Sequence, residues 1–230
     1  MIDEPELSLH PQVQRRLLAE MLESTKSNQI LIATHSAEMV SIPAILNGGT
    51  LARVVDGNGG GQIHQITPEA KQLLVDFEGN LNFPHSMGYD ARACLFADEP
   101  LIITEGQEDV ILLRKIATDM NFSFELPYWG FGAGGVGNIP KVATILGSLG
   151  FKHIGALFDG DKANEAKQFG IQFPQYKNWV LVADDIRDKQ QTIQPAKTGV
   201  LDAGRNLKPI YHGALKQMFE EMKAFVQQLP

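Results

Sequence analysis

Apolar and polar positions along the 230-residue chain fall into blocks of helical and strand spacing. Residues 11–24 place Val13, Leu17, Leu18, Met21 and Leu22 on one side of a helix, and Pro11 suits its first turn. Residues 29–33 form a short apolar run that predicts a buried strand, closed by Thr34-His35-Ser36. Residues 51–55 and 62–66 flank Asp56-Gly57-Asn58-Gly59-Gly60-Gly61 and predict a β-hairpin. A short helix is expected at 69–77, then polar loop, with 92–96 opening a second unit.

That second unit alternates strand and helix. Strands are expected at 101–104, 125–131, 153–158 and 179–183. Helices are expected from Gly106 through Met120, over 140–149 and over 213–228. This order predicts an α/β fold with a mostly parallel sheet flanked by helices. The glycine-rich loop at 132–137 precedes Asn138, which reads either as a helix cap or as part of a backbone-amide cradle for a DNA phosphate. Neither GxGxxG spacing nor a ribose-binding acid supports a dinucleotide site.

The chemistry sits where two of these strands end. Leu101-Ile102-Ile103-Thr104 runs into Glu105, Gly106 and Asp109, and Ile154 to Phe158 runs into Asp159-Gly160-Asp161. Ligands of open α/β sheets bind at such strand ends. Carboxylates brought together there repel one another unless a divalent cation neutralises them. Glu105, Asp109, Asp159 and Asp161 are therefore candidate ligands for Mg²⁺ or Mn²⁺. Asp109, four residues after Glu105, lies on the same side of the helix start. Asp185 and Asp188 are candidates for a second ion, and Lys197, with Lys189 and Lys208, for the cation that meets transition-state charge. The plainer reading is a pair of ordinary βα turns with solvated acids, Asp109 serving the helix N-terminus.

Charge narrows the partners. A formal net charge of −7 gives no global basic field to attract nucleic acid. A nucleic-acid enzyme of this charge needs a local basic patch, metal ions or a further component. Cys94, the single cysteine, excludes an intrachain disulfide and fits a reducing compartment. No apolar stretch approaches membrane-spanning length and no signal peptide is visible, so the expected location is the cytoplasm, away from membranes.

The first residues carry a different motif. Asp3-Glu4 follows an apolar Met1-Ile2, with His35 at the end of the next predicted strand. An acidic pair at a strand end serves Mg²⁺ and the attacking water in P-loop ATPases, and a histidine at the second strand end can contact a γ-phosphate. No GxxxxGK[ST] loop occurs in the chain. The polypeptide alone is expected not to hydrolyse ATP, and reads as the C-terminal portion of a longer protein, through truncation or a split gene.

Asp3-Glu4-Pro5-Glu6, Leu7 to His10 and Thr34-His35-Ser36 together resemble the tail of an ABC-type ATPase head. On that resemblance Asp3 and Glu4 are the Walker B acids, residues 6–10 the D-loop and His35 the switch histidine. Glu105-Gly106 and Asp159-Gly160-Asp161 resemble the TOPRIM module of topoisomerases, primases and nucleases. In this order the two parts resemble the OLD (overcoming lysogenisation defect) family of ATP-dependent nucleases. The resemblance implies an ATPase remnant over 1–67, a linker over 68–97 and a Rossmann-like TOPRIM nuclease domain over 98–230. It implies DNA as substrate, two Mg²⁺ or Mn²⁺ ions, ATP only in the full-length protein, a homodimer, a missing ATPase half or partner protein, and a role in phage defence. Two other classes stay open: a non-catalytic TOPRIM-like dimerisation module, and a small-molecule phosphotransferase with Asp159 as nucleophile.

Overall fold

The computed structural model describes residues 1–57, 60–78, 93–189 and 196–228. Strand β1 (Ile2–Asp3) pairs in parallel with β2 (Ile32–Ala33), and helix α1 (Pro11–Ser24) connects them. The strand expected over 29–33 thus shrinks to two residues. A two-stranded parallel pair covers little: Leu31 and Ile2 stay exposed, and Leu18 is the only fully buried residue of α1. Helix α2 (Ile42–Leu46) follows, one turn too short to show a sequence period, with the Ser41 hydroxyl accepting from the Ala44 N–H at 3.2 Å. Strands β3 (Ala52–Gly57) and β4 (Gly60–Gln65) form the expected hairpin, paired from Ala52↔Gln65 to Gly57↔Gly60. Its turn at 58–59 lies outside the described residues, as does the stretch from 79 to 92 with Arg92, where the second unit was expected to open. Helix α3 (Pro68–Glu78) lies between them.

The second half is built on three parallel strands. These are β5 (Leu101–Ile103), β6 (Ile154–Phe158) and β7 (Lys177–Val180), in the order β5-β6-β7. Helices α4 (Gln107–Asp119), α5 (Ile139–Ser148) and α6 (Ala163–Gln172) connect them. Strands β8 (Asp185–Arg187) and β9 (Gly199–Leu201) form a separate parallel pair, and α7 (His212–Gln227) closes the fold.

Successive residues of a strand face opposite sides, and here each side meets helices. Leu101, Ile103, Ile154, Ala156 and Phe158 pack with Ile139, Val142, Leu146 and Phe169 of α5 and α6. Ile102 and Leu157 pack with Leu112, Leu113 and Ile116 of α4 and with Leu215, Phe219 and Met222 of α7. Burial on both faces is why these strands read as unbroken apolar runs rather than alternating ones. Val40, Ile42, Ile45, Ile66, Ala70 and Leu74 share the first of these cores, so α2 and α3 join it, α3 lying against α5.

Two expected strands differ. In place of a strand over 125–131 the chain makes one parallel bridge, Tyr128 to Ile102, before Gly130 turns it away at φ +52°. In place of 179–183, β7 covers Lys177–Val180, and the chain beyond it continues beside the end of β6. There Leu181 N–H donates to Phe158 O at 2.8 Å and Gly160 N–H to Ala183 O at 2.9 Å. Helix α6 escaped the sequence reading because it buries only Ala166 and Phe169.

Glu99 fastens the hairpin to the sheet. Its Oε1 accepts from the Arg53 guanidinium at 2.9 Å, and its Oε2 accepts the backbone N–H groups of Lys152 and His153 at 2.8 and 2.9 Å. Arg53 also lies 4.0 Å over the Phe151 ring. Burial pushes the Glu99 carboxyl up, but these donors and the Arg53 charge hold it below its ordinary 4.5. A depressed carboxyl stabilises the fold above its unfolded value, and that contribution fades as pH falls through the lower folded value. Glu99→Gln is expected to cost about 1–2 kcal/mol at neutral pH and to flatten the acid limb of stability against pH, read by urea unfolding from pH 3 to 7. An unchanged acid limb would place the pH dependence elsewhere.

Candidate metal centre

Glu105 and Asp159 lie just beyond the C-terminal ends of strands, where the last apolar residue gives way to a turn. Glu105 follows β5, and the chain turns at Gly106 into α4. The Gly106 N–H donates to Asp109 Oδ2 at 2.8 Å, so Asp109 caps the helix while sitting in the acidic group. Asp159 follows β6. Gly160 is required between Asp159 and Asp161, because a Cβ there would lie 2.2 Å from Ala183 O. Asp185, 1% exposed, opens β8 and accepts the Ile186 N–H on Oδ1 at 2.9 Å.

The glycine-rich loop holds Glu105 in place. Ala133 N–H donates to Thr104 O and Gly135 N–H to Glu105 O, at 2.9 and 2.8 Å, and the Val136 N–H bonds the Glu105 carboxylate. Gly132 (φ +86°) packs so close to Gly106 that a Cβ would lie 2.7 Å from its backbone. These amides serve the strand end and its acid, in contrast to the phosphate cradle considered from sequence. Asn138 does not cap α5 with its side chain. Its Nδ2 instead bonds back to Gly134 O at 3.3 Å.

Glu105, Asp109, Asp159 and Asp185 feel one another's charge. Burial, then Asp109, Asp185 and Glu105, push the Asp159 carboxyl up to about 8. Burial pushes Asp109 up to about 7, the Gly106 N–H opposing and Glu105 and Asp185 adding to it. Burial also raises Glu105, against Lys162, Lys197 and the Val136 N–H. Buried Glu105 Oε2 and Asp185 Oδ2 have no hydrogen-bond partner among the described residues. Among the described residues no group of three or more His, Cys, Asp or Glu side chains is placed to hold a metal ion. Lys162, Lys189 and Lys197 pair with acids of this group instead. The four acidic side chains are all oxygen donors, the kind a hard divalent cation takes.

The remaining candidates divide. Asp161 pairs with Lys197 at 2.8 Å and Lys162 at 3.3 Å, which hold its carboxyl low despite burial. Lys197 also lies 3.5 Å from Asp185 Oδ2. Asp188 does not join the group: Lys208 at 2.6 Å and the Gly199 N–H at 2.8 Å take its carboxylate. Glu108, not among the sequence candidates, also reaches the group: its carboxylate bonds Arg187 and lies 3.4 Å from Lys189. The i, i+2 spacing of Arg187 and Lys189 on a strand was the available signal.

At the N-terminus, Asp3 ends β1 and Glu4 (φ +42°) follows, its N–H donating to Ala33 O at 2.8 Å. His35 Nε2 lies 3.5 Å from Glu4 Oε1. Buried Glu6 accepts from the Thr34 hydroxyl and, at 3.0 Å, from the His35 N–H, fixing the loop that carries both. The parallel pairing of β1 and β2 thus brings Glu4 and His35 together.

Residues 1–41 match the family model described as "AAA domain, putative AbiEii toxin, Type IV TA system". The match takes in Asp3, Glu4 and His35, and makes this stretch similar to an ATP-binding, ATPase-like domain. No curated protein matches the chain. Among the described residues no helix is long and apolar enough to cross a membrane.

A carboxyl raised from 3.8 to about 8 costs stability as pH climbs between those values. Asp159→Asn is therefore expected to stabilise the metal-free protein at pH 8 by about 2–4 kcal/mol and to change little at pH 4. Urea unfolding at the two pH values in a chelator checks this. Destabilisation at pH 8 would mean that burial and the neighbouring acids do not raise the Asp159 carboxyl.

Proposed function

We propose that this chain carries the nuclease site of an ATP-coupled DNA endonuclease of the OLD type, a TOPRIM-like centre on the β5-β6-β7 sheet. The observation that carries the reading is a pair of buried oxygens, Glu105 Oε2 and Asp185 Oδ2, that lack a hydrogen-bond partner among the described residues, beside two acids raised to about 7 and 8. Two Mg²⁺ or Mn²⁺ ions held there would supply Lewis acidity and an activated water for phosphodiester hydrolysis.

The chain's own residues do the rest. Glu105, Asp109, Asp159 and Asp185 are the oxygen donors, and the glycine-rich loop fixes the first of them. Asp161 holds Lys197, whose ammonium would take up charge on the scissile phosphate and the leaving 3′ oxygen. In the same reading Asp3, Glu4 and His35 are one part of a nucleotide site whose P-loop comes from another polypeptide segment or a partner. ATP and a second copy of the chain belong to that assembly, and DNA is the substrate.

The test is cleavage of supercoiled plasmid with Mg²⁺ or Mn²⁺, without ATP, by the wild type and by Asp159→Ala/Asp161→Ala. Nicking is expected from the wild type and should fall at least about a hundredfold in the double variant, the scale of losing electrostatic stabilisation at a reacting group. Cleavage that both proteins perform equally would remove support for the site. Cleavage that appears only after a P-loop-bearing component is added would assign ATP a role in licensing it.

A further inference from the structure

Lys189 and Lys197 exchange both backbone hydrogen bonds, each 3.1 Å, as an antiparallel pair. Like charges placed opposite one another destabilise strands unless anions face them. Here Lys189 Nζ lies 2.8 Å from Asp185 Oδ1 and 3.4 Å from Glu108 Oε2. Lys197 Nζ lies 2.8 Å from Asp161 Oδ2 and 3.5 Å from Asp185 Oδ2. Asp185 therefore has an ammonium beside each oxygen. The one beside Oδ2 is too distant for a hydrogen bond, so a buried oxygen stays unpartnered.

We propose that Lys189 and Lys197 are built-in counter-cations, which offset the carboxylate charge in the metal-free protein and compete with a divalent ion for it. The inference rests on the metal reading of the site. The two lysines differ in what holds them. Lys189 is tied to Glu108 on α4, which Arg187 also engages, so it stays as a positioning residue linking α4 to β8. Among the described residues Lys197 pairs with Asp161 and Asp185, both within the acidic group. It is the ammonium that gives way when the ion enters, and it is then free to meet a phosphate.

Competition has an unusual sign: removing a lysine tightens metal binding although it impairs the site. The test is calorimetric titration of the full chain with Mn²⁺, and the metal-free melting temperature, for wild type, Lys189→Met, Lys197→Met and Lys189→Arg. Each Met variant is expected to bind Mn²⁺ about tenfold more tightly, the scale of one unit charge near a divalent ion. Each should also melt a few degrees lower without metal, while Lys189→Arg stays within about twofold of wild type. If Lys189→Met does not fold, Lys197→Met alone decides the question. Mn²⁺ affinity that is unchanged or weaker in the Met variants would overturn the inference and leave the metal site standing. A wild type that binds no Mn²⁺ would overturn both.

Discussion

Everything in the second half depends on how acids at three strand ends tolerate one another. A parallel sheet covered by helices has little water at its core, so carboxylates placed where its strands emerge lose hydration and feel each other strongly. The fold meets this repulsion in part. Backbone amides of Gly106 and Val136 donate to Asp109 and Glu105, and Lys162, Lys189 and Lys197 lie among the acids. The remainder appears as acids held up at about 7 and 8 and as oxygens with no donor. Both carry a cost that fuller pairing would remove.

The glycines follow from the same constraint. Bringing three strand ends together requires backbones to touch where side chains would separate them. Gly160 lets the chain after β6 lie against Ala183, which brings Asp159 and Asp161 beside the segment leading to Asp185. Gly132 lets the loop before α5 press on Gly106, which places the Val136 N–H on Glu105. The loop's richness in glycine serves the position of an acid.

The parts legible in the sequence were those governed by local rules. Apolar runs marked β5 and β6, and the acids at their ends marked Glu105, Asp109 and Asp159, because strand burial and strand ends are local properties. Three things depended on distant contacts and were not legible. Helix α6 has too small an apolar stripe, since Phe169 and Ala166 alone anchor it. The separation of Asp185 from Asp188 follows from pairing: the first opens β8 inside the cluster, while Lys208 draws the second away. The bonding of Glu99 to Arg53 spans 46 residues and no spacing rule anticipates it.

The lysines settle how an acidic chain can be read as acting on DNA. A net charge of −7 repels a polyphosphate, and the basic groups nearest the site do not reverse this, because Lys162, Lys189, Lys197 and Lys208 each face a carboxylate. In the metal-free state the site therefore offers a phosphate no surplus of positive charge. Divalent ions in the acidic group would change both terms at once. They add charge where the substrate must approach, and they release Lys197 from the acids that hold it. On the proposed reading the metal requirement thus begins before chemistry, at the approach of the phosphate, and the resting protein is guarded against binding nucleic acid until the ions are present.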